Sequence, residues 1–259
     1  MNQIEVKNDI IALAEWLNTT SGKYAYSWEK ASLDDLTADI FGFNALQVGF
    51  PEINTLSANR MTNRWVTNSI PNCYKKCSRQ LDVVHDFTDL PFASQSLDLV
   101  VLPHVLEFSS RPHKVLREIE RVLIPEGQVI ISGFNPVSTW GLRQIFGKIS
   151  NKYFLPSNGE FISVPRLKDW LKLLNMEINR GQYGCYLPPF TSKKWMKRYS
   201  FLEKAGRRWW PFLGAIYIIQ AIKRVNSLKL VGPVWKNKSS KVQRVFPAAN
   251  RLRYPKIKK

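Results

Sequence analysis

Two nearly unbroken apolar runs, LDLVVL at residues 97–102 and QVIISGF at 128–134, constrain this chain most. A strand with one wet face alternates apolar and polar residues. These runs do not, so each reads as a strand covered on both faces. Between them Val115, Leu116, Ile119, Val122 and Leu123 fall on one side of a helix that has Pro112 near its start, and IPEG at 124–127 ends it. Strand, amphipathic helix and strand, repeated, imply a parallel sheet with right-handed crossovers.

The pattern extends in both directions. Ile10, Leu13, Ala14 and Leu17 mark an opening helix, and SLDDLTADIFG at 32–42 a short second one ended by Gly42. A strand comes next at 41–48, then RWVTNS at 64–69 and QLDVVHDF at 80–87. Beyond Phe134, NPVSTWGLRQIFGK gives a loop and a helix. Leu167, Trp170, Leu171 and Leu174 give another helix, with Ser163 and Pro165 at its start. MEINRGQYGC and GAIYIIQAIKR give two closing strands. The expected fold is α/β: a doubly wound, mostly parallel, seven-stranded Rossmann-like sheet. Residues 1–40 form an N-terminal helical segment, 41–225 the domain, and 226–259 a basic tail without apolar periodicity, expected to be disordered.

Charge points to anionic partners. Lys and Arg number 38 against 20 Asp and Glu, a net charge of +18, and from Lys204 onward there are fifteen basic residues and no acidic one. The tail is therefore expected to meet nucleic acid or an anionic membrane surface. The basic segment 193–210 carries Trp195, Met196, Tyr199 and Leu202, read as a helix packing its aromatics on the sheet behind a solvated basic rim; the competing reading is a basic amphipathic helix facing phosphate or membrane. WWPFLGAIYII is about half a membrane span and contains proline and glycine, so it reads as a buried strand with its approach, and no integral span is expected. Cys73, Cys77 and Cys185 make no disulfide framework, and Cys73, Cys77 and His85 lack a fourth ligand for a zinc site. No signal peptide is evident, and free thiols suit a reducing compartment; a cytoplasmic location is expected.

The segments HDFTDLPF, LDLVVLPHVLEF and REIERVLIPEG, in this order and spacing, resemble the central half of the class I S-adenosylmethionine-dependent methyltransferases, small-molecule type, and WLNTTSGKYAYSWEKASLDDLTADIFGFNALQVG with ISGFNPVSTWGLR resembles an uncharacterised bacterial branch of that family. The resemblance extends over roughly residues 41–224. It implies S-adenosyl-L-methionine as cofactor and an unidentified methyl acceptor. Gly49 then stands at the first glycine of the cofactor loop and Asp86 at the carboxylate that receives the adenine amino group. Phe87 would offer its backbone N–H to the ring. His104 would lie near the reactive methyl and Asn135 would line the substrate mouth; these two are the candidate catalytic residues. Asp86 also reads as a turn acid, and His104 as a structural histidine, because methyl transfer needs alignment more than proton chemistry. Asp98 reads as a support of the strand–loop turn.

The loop ALQVGFPEINTL departs from the family pattern. Gln47 replaces its acid, Pro51 and Ile53 replace its later glycines, and Thr67 or Asn68 stands where a ribose-binding carboxylate is expected. Glu52 restores a charge if it points inward. The cofactor is net positive, so weakened binding is expected, tightened again by Gln47→Asp with Pro51→Gly. The alternative function is a non-catalytic descendant that binds nucleic acid or anionic lipid through its basic end.

Overall fold

The computed structural model describes residues 11–69, 81–150, 154–155, 159–190 and 192–225. Residues 11–17 form helix α1, and α2 spans Thr20–Ala38. The strands are β1 (Asn44–Val48), β2 (Asn63–Asn68), β3 (Val83–Val84), β4 (Leu97–Pro103), β5 (Leu123–Phe134), β6 (Met176–Gly184) and β7 (Ile216–Lys223). After β4 come α3 (Val105–Phe108) and α4 (Pro112–Val122); α5 (Thr139–Ser150) and α6 (Val164–Leu173) lie between β5 and β6. Between β6 and β7 are α7 (Lys193–Arg198), α8 (Phe201–Trp209) and a 3-10 turn at Pro211–Leu213.

The sheet has seven strands in the order β3-β2-β1-β4-β5-β7-β6. The first five run parallel, and β7 is antiparallel to both its neighbours. The period of two along each strand divides the core between the faces. Leu46, Val48, Val100, Leu102, Val129 and Ile131 join the apolar stripes of α4 and α6. Ala45, Leu99, Val101, Ile130 and Ile218 join Leu33 and Leu36 of α2. Strand order reverses between β1 and β4, which places a crevice at their carboxyl ends.

Four local expectations need correction. The short helix at 32–42 is the end of the longer α2, whose start is hidden in sequence by Gly22 in its first turn. There the Gly22 amide donates to the Thr19 side chain at 3.1 Å, and a Cβ would lie 2.1 Å from the Trp16 carbonyl oxygen. Strand β3 is two residues, because the Asp82 side chain, not backbone, receives the Val66 amide at 2.7 Å. Strand β5 already starts at Leu123, so IPEG lies within it, with Glu126 at φ 64°. Finally, the aromatics of 193–210 do not pack on the sheet: α7 buries no residue and α8 only Gly206. The run ending in GAIYII forms buried β7 with its approach, and no helix among the described residues is long and apolar enough to cross a membrane. A compact unit ends at Val225. The tail, Cys73 and Cys77 lie outside the described residues, and Cys185 is a buried free thiol.

Candidate active site

The crevice is built from the loops that leave the parallel strands. After β1 the chain turns at Gly49 (φ 75°) and Phe50 (φ 44°), and the Gly49 amide donates to the Thr67 carbonyl at 2.7 Å. Gln47 holds the shape of the loop beyond this turn. Its buried Nε2 reaches the carbonyls of Gly49, Phe50 and Ile53 at 3.2, 2.9 and 2.7 Å. Its Oε1 receives the Thr55 amide and hydroxyl at 3.2 and 2.9 Å. Gln47, expected at the cofactor, is thus the brace of its own loop. An aspartate there has no N–H for three carbonyls, which removes the ground for expecting Gln47→Asp to improve the site.

On the flank of β1, β2 and β3 the polar groups are not satisfied. Both carboxylate oxygens of Glu52, Nδ2 of Asn68 and Nε2 of His85 are shut off from solvent without a hydrogen-bond partner among the described residues. Register brings the strand ends together: Val48 lies opposite Thr67, Thr67 opposite Val83, and Asn68 opposite Val84, with the His85 amide on the Asn68 carbonyl at 3.1 Å. Burial pushes the Glu52 carboxyl up and the His85 imidazole down from their usual ranges. His85 Nδ1 lies 2.6 Å from the Asp86 carbonyl oxygen, which only accepts, so Nδ1 carries the hydrogen and Nε2 a lone pair. The flank therefore holds three acceptor atoms and one donor. The Glu52 carboxylate is turned away from solvent.

Asp86 sits on this flank in a local turn: its Oδ1 receives the Thr88 amide at 3.0 Å and hydroxyl at 3.1 Å. The Phe87 ring is buried against the loop. A Cβ on Gly49 would lie 2.7 Å from Val105 Cγ2 and 3.4 Å from Phe87 Cζ, so these side chains close the space against the glycine. Asp98 supports the turn into β1 by receiving the Phe43 and Asn44 amides at 3.0 and 2.9 Å.

The ends of β4 and β5 carry a different arrangement. His104, at φ 52°, is buried between two carboxylates, with Nδ1 2.9 Å from Glu107 Oε2 and Nε2 3.3 Å from Glu29 Oε2. Ser132 Oγ donates to Glu29, and the Phe134 amide to Glu107. Burial alone would lower the His104 pKa, but the Glu29 charge and the bond to Glu107 outweigh it and raise the pKa to about 10. Burial raises Glu107, and the charged imidazole opposes that rise. With a proton on each nitrogen, His104 has no lone pair with which to accept another. This geometry makes His104, a candidate catalytic residue by sequence, a buried cation holding two acids. Its ring lies over Phe134 with centroids 4.3 Å apart.

Asn135 is likewise committed. Its Nδ2 donates to the Phe212 and Gly214 carbonyls at 2.8 and 3.0 Å, and its Oδ1 receives the Val137 amide at 3.2 Å. It pins the turn after β5 to the turn before β7 and does not line a mouth. Beside it opens a cleft of about 300 Å³ lined by Pro136, Gly141, Gln144, Ile145, Glu160 and Phe161.

The structure thus brings Asn68, His85 and Asp86 together beyond β2 and β3, keeps Glu52 in the loop after β1, and draws Gln47, His104 and Asn135 into bracing. Glu29 went unrecognised in the sequence, although it shares the i, i+4 stripe of Ala25 and Leu33, where an acid on a buried face needs a partner.

Comparisons with known proteins agree with this architecture. Residues 64–131 match the methyltransferase domain family. The structure superposes on a S-adenosylmethionine-dependent methyltransferase from Thermotoga maritima with a TM-score of 0.60 at 13% identity, covering 85% of this chain and 99% of that one. It superposes on another from Archaeoglobus fulgidus with a TM-score of 0.55 at 17% identity, covering 76% and 94%. The uncharacterized Escherichia coli protein YafS is 30% identical over 98% of this chain and 99% of its own length. S-adenosyl-L-methionine is the cofactor that this fold and family imply. The chain belongs to the family of YafS, with a methyltransferase domain match over residues 64–131 and the fold of the class I S-adenosylmethionine-dependent methyltransferases.

Proposed function

We propose that the protein transfers a methyl group from S-adenosylmethionine to an unidentified acceptor. One observation carries the reading: the unpartnered Glu52, Asn68 and His85 atoms at the ends of three adjacent strands. Unsatisfied buried polar atoms cost stability, about 1–3 kcal/mol each, and this deficit is of donors. S-adenosylmethionine offers an ammonium, two ribose hydroxyls and an adenine amine, and it is net positive, so the set fits it. Bound, it supplies an electrophilic methyl on a sulfonium. Glu52 would hold its donors with charge-assisted bonds, His85 Nε2 would accept one more, and Asn68 would donate. Asp86 would add the acceptor that the resemblance assigns to it. With His104 held as a cation between Glu29 and Glu107, this chain's contribution is proximity and orientation, sufficient for an acceptor that is already nucleophilic. The cleft beside Ile145 and Phe161 is the proposed acceptor side. Cytoplasmic placement, and an anionic partner for residues 226–259, belong to the same proposal.

Titration calorimetry of the full chain with S-adenosylmethionine tests it. Saturable heat is expected with a dissociation constant near or above the micromolar range. An absence of heat at millimolar ligand would leave a methyltransferase fold without its cofactor.

A further inference from the structure

The surface formed by α5, α7, α8 and the 3-10 turn sets exposed aromatic rings among cations. Phe201 is 60% exposed, Trp209 67% and Phe212 58%, and Trp195 and Trp210 are also exposed. Around them Lys193, Lys194, Lys197, Arg198, Lys204, Arg207 and Arg208 face solvent, and none forms an ion pair among the described residues. The lone acid between 192 and 225, Glu203, is turned inward, receiving Tyr24 Oη and the Tyr186 amide. No acidic residue comes after it in the chain, so the rest of the sequence has no counter-charge to offer this surface.

The surface continues onto α5. Arg143 reaches the Pro189 carbonyl, Trp140 Nε1 donates to Leu187 at 2.7 Å, and the Asn135 side chain holds Phe212. Val137, Leu142, Ile145 and Phe146 are more than half exposed there. Phe190, Trp195 and Tyr199 form a ring cluster between the two parts, the last two stacked at 5.9 Å and 17°.

We propose that this face docks on an anionic lipid bilayer. Tryptophan and phenylalanine beside unpaired lysine and arginine suit the interface between headgroups and acyl chains: the rings enter, and the long cations reach phosphate. Each basic residue near an anionic leaflet adds about 1 kcal/mol of attraction. Nucleic acid would use the same charges, with bases stacked on aromatic rings. It has no use for exposed Val137, Leu142 and Ile145, whereas acyl chains do. The inference does not depend on the cofactor reading.

The test is binding of the full chain to phosphatidylcholine vesicles with and without phosphatidylglycerol, measured by flotation and by tryptophan quenching from lipids brominated along the acyl chain. Binding to the anionic vesicles only, with quenching, is expected. Phe201→Ser with Trp209→Ser and Phe212→Ser, which leaves every cation and the tail in place, should weaken it about tenfold or more. Unquenched binding, or full affinity in that variant, would mean that the basic tail alone holds the vesicle and would overturn the proposal. If the variant unfolds, quenching of the native chain decides. Release from vesicles by single-stranded RNA, with no quenching by brominated lipid at any protein concentration, would assign the face to nucleic acid instead.

Discussion

The two halves of the crevice solve the burial of polar groups in opposite ways. At the ends of β4 and β5, Glu29, His104, Glu107 and Ser132 satisfy one another and the Phe134 amide. At and beyond the ends of β1, β2 and β3, Glu52, Asn68 and His85 carry buried polar atoms that meet no partner among the described residues. A closed network specifies the fold, and an open one is what a ligand completes. Histidine and acid residues in a cleft are therefore not equivalent evidence of chemistry; the count of unmet atoms tells them apart.

The largest effect is expected from breaking the closed half. His104→Ala leaves Glu29 and Glu107 buried without their cation and should cost about 3–5 kcal/mol, roughly 10 °C in Tm, read by thermal denaturation. The same cluster sets a pH dependence. The folded His104 pKa, about 10, lies above the ordinary 6.5, so its stabilisation is fully present below 6.5 and is lost as pH rises through about 10. Wild type should thus lose Tm between these values more steeply than His104→Gln; parallel curves would deny that His104 is charged.

Gln47→Asp comes next. It removes both donors from a loop with three waiting carbonyls, and Tm should fall by an amount equivalent to about 2–3 kcal/mol, with no gain in cofactor affinity. A tighter complex at unchanged Tm would show that the loop tolerates the family's acid after all.

This residue also shows what the sequence could and could not say. The parallel sheet was legible because residues 97–102 and 128–134 are too apolar for a half-wet strand, and each of the seven expected strands has a counterpart, though β3 is shorter and β5 runs back through IPEG. The turn at Asp86 was legible because the LPF that follows it fixes the register of the resemblance, and its Oδ1 receives the Thr88 amide and hydroxyl there. Gln47, His104 and Asn135 misled because spacing places a residue at a strand end without saying which way its side chain turns. Gln47 turns to carbonyls within its own loop, His104 to a glutamate 75 residues away, and Asn135 to a turn 77 residues away. The 193–210 aromatics misled for the opposite reason: helical spacing promised a buried face that the sheet does not supply.

Glu52→Gln separates the halves by sign. Relief of a buried, unpaired carboxylate should raise Tm by roughly 2–4 °C, while S-adenosylmethionine affinity falls about tenfold in calorimetry. A fall in both would place Glu52 among the braces. The smallest change in stability, within about 0.5 kcal/mol, is expected for Asp86→Asn, which retains an oxygen for Thr88. Its affinity for the cofactor should still drop about tenfold; an unaltered affinity would reduce Asp86 to a turn acid.

The most direct test is the Tm shift produced by saturating S-adenosylmethionine in wild type, Glu52→Gln and Glu29→Gln, measured side by side. A ligand that completes the open half should raise the Tm of wild type and, from a lower baseline, that of Glu29→Gln by the same increment, and should raise that of Glu52→Gln far less. An equal increment in wild type and Glu52→Gln, with the increment lost in Glu29→Gln, would put the ligand on the β4–β5 side and contradict the account.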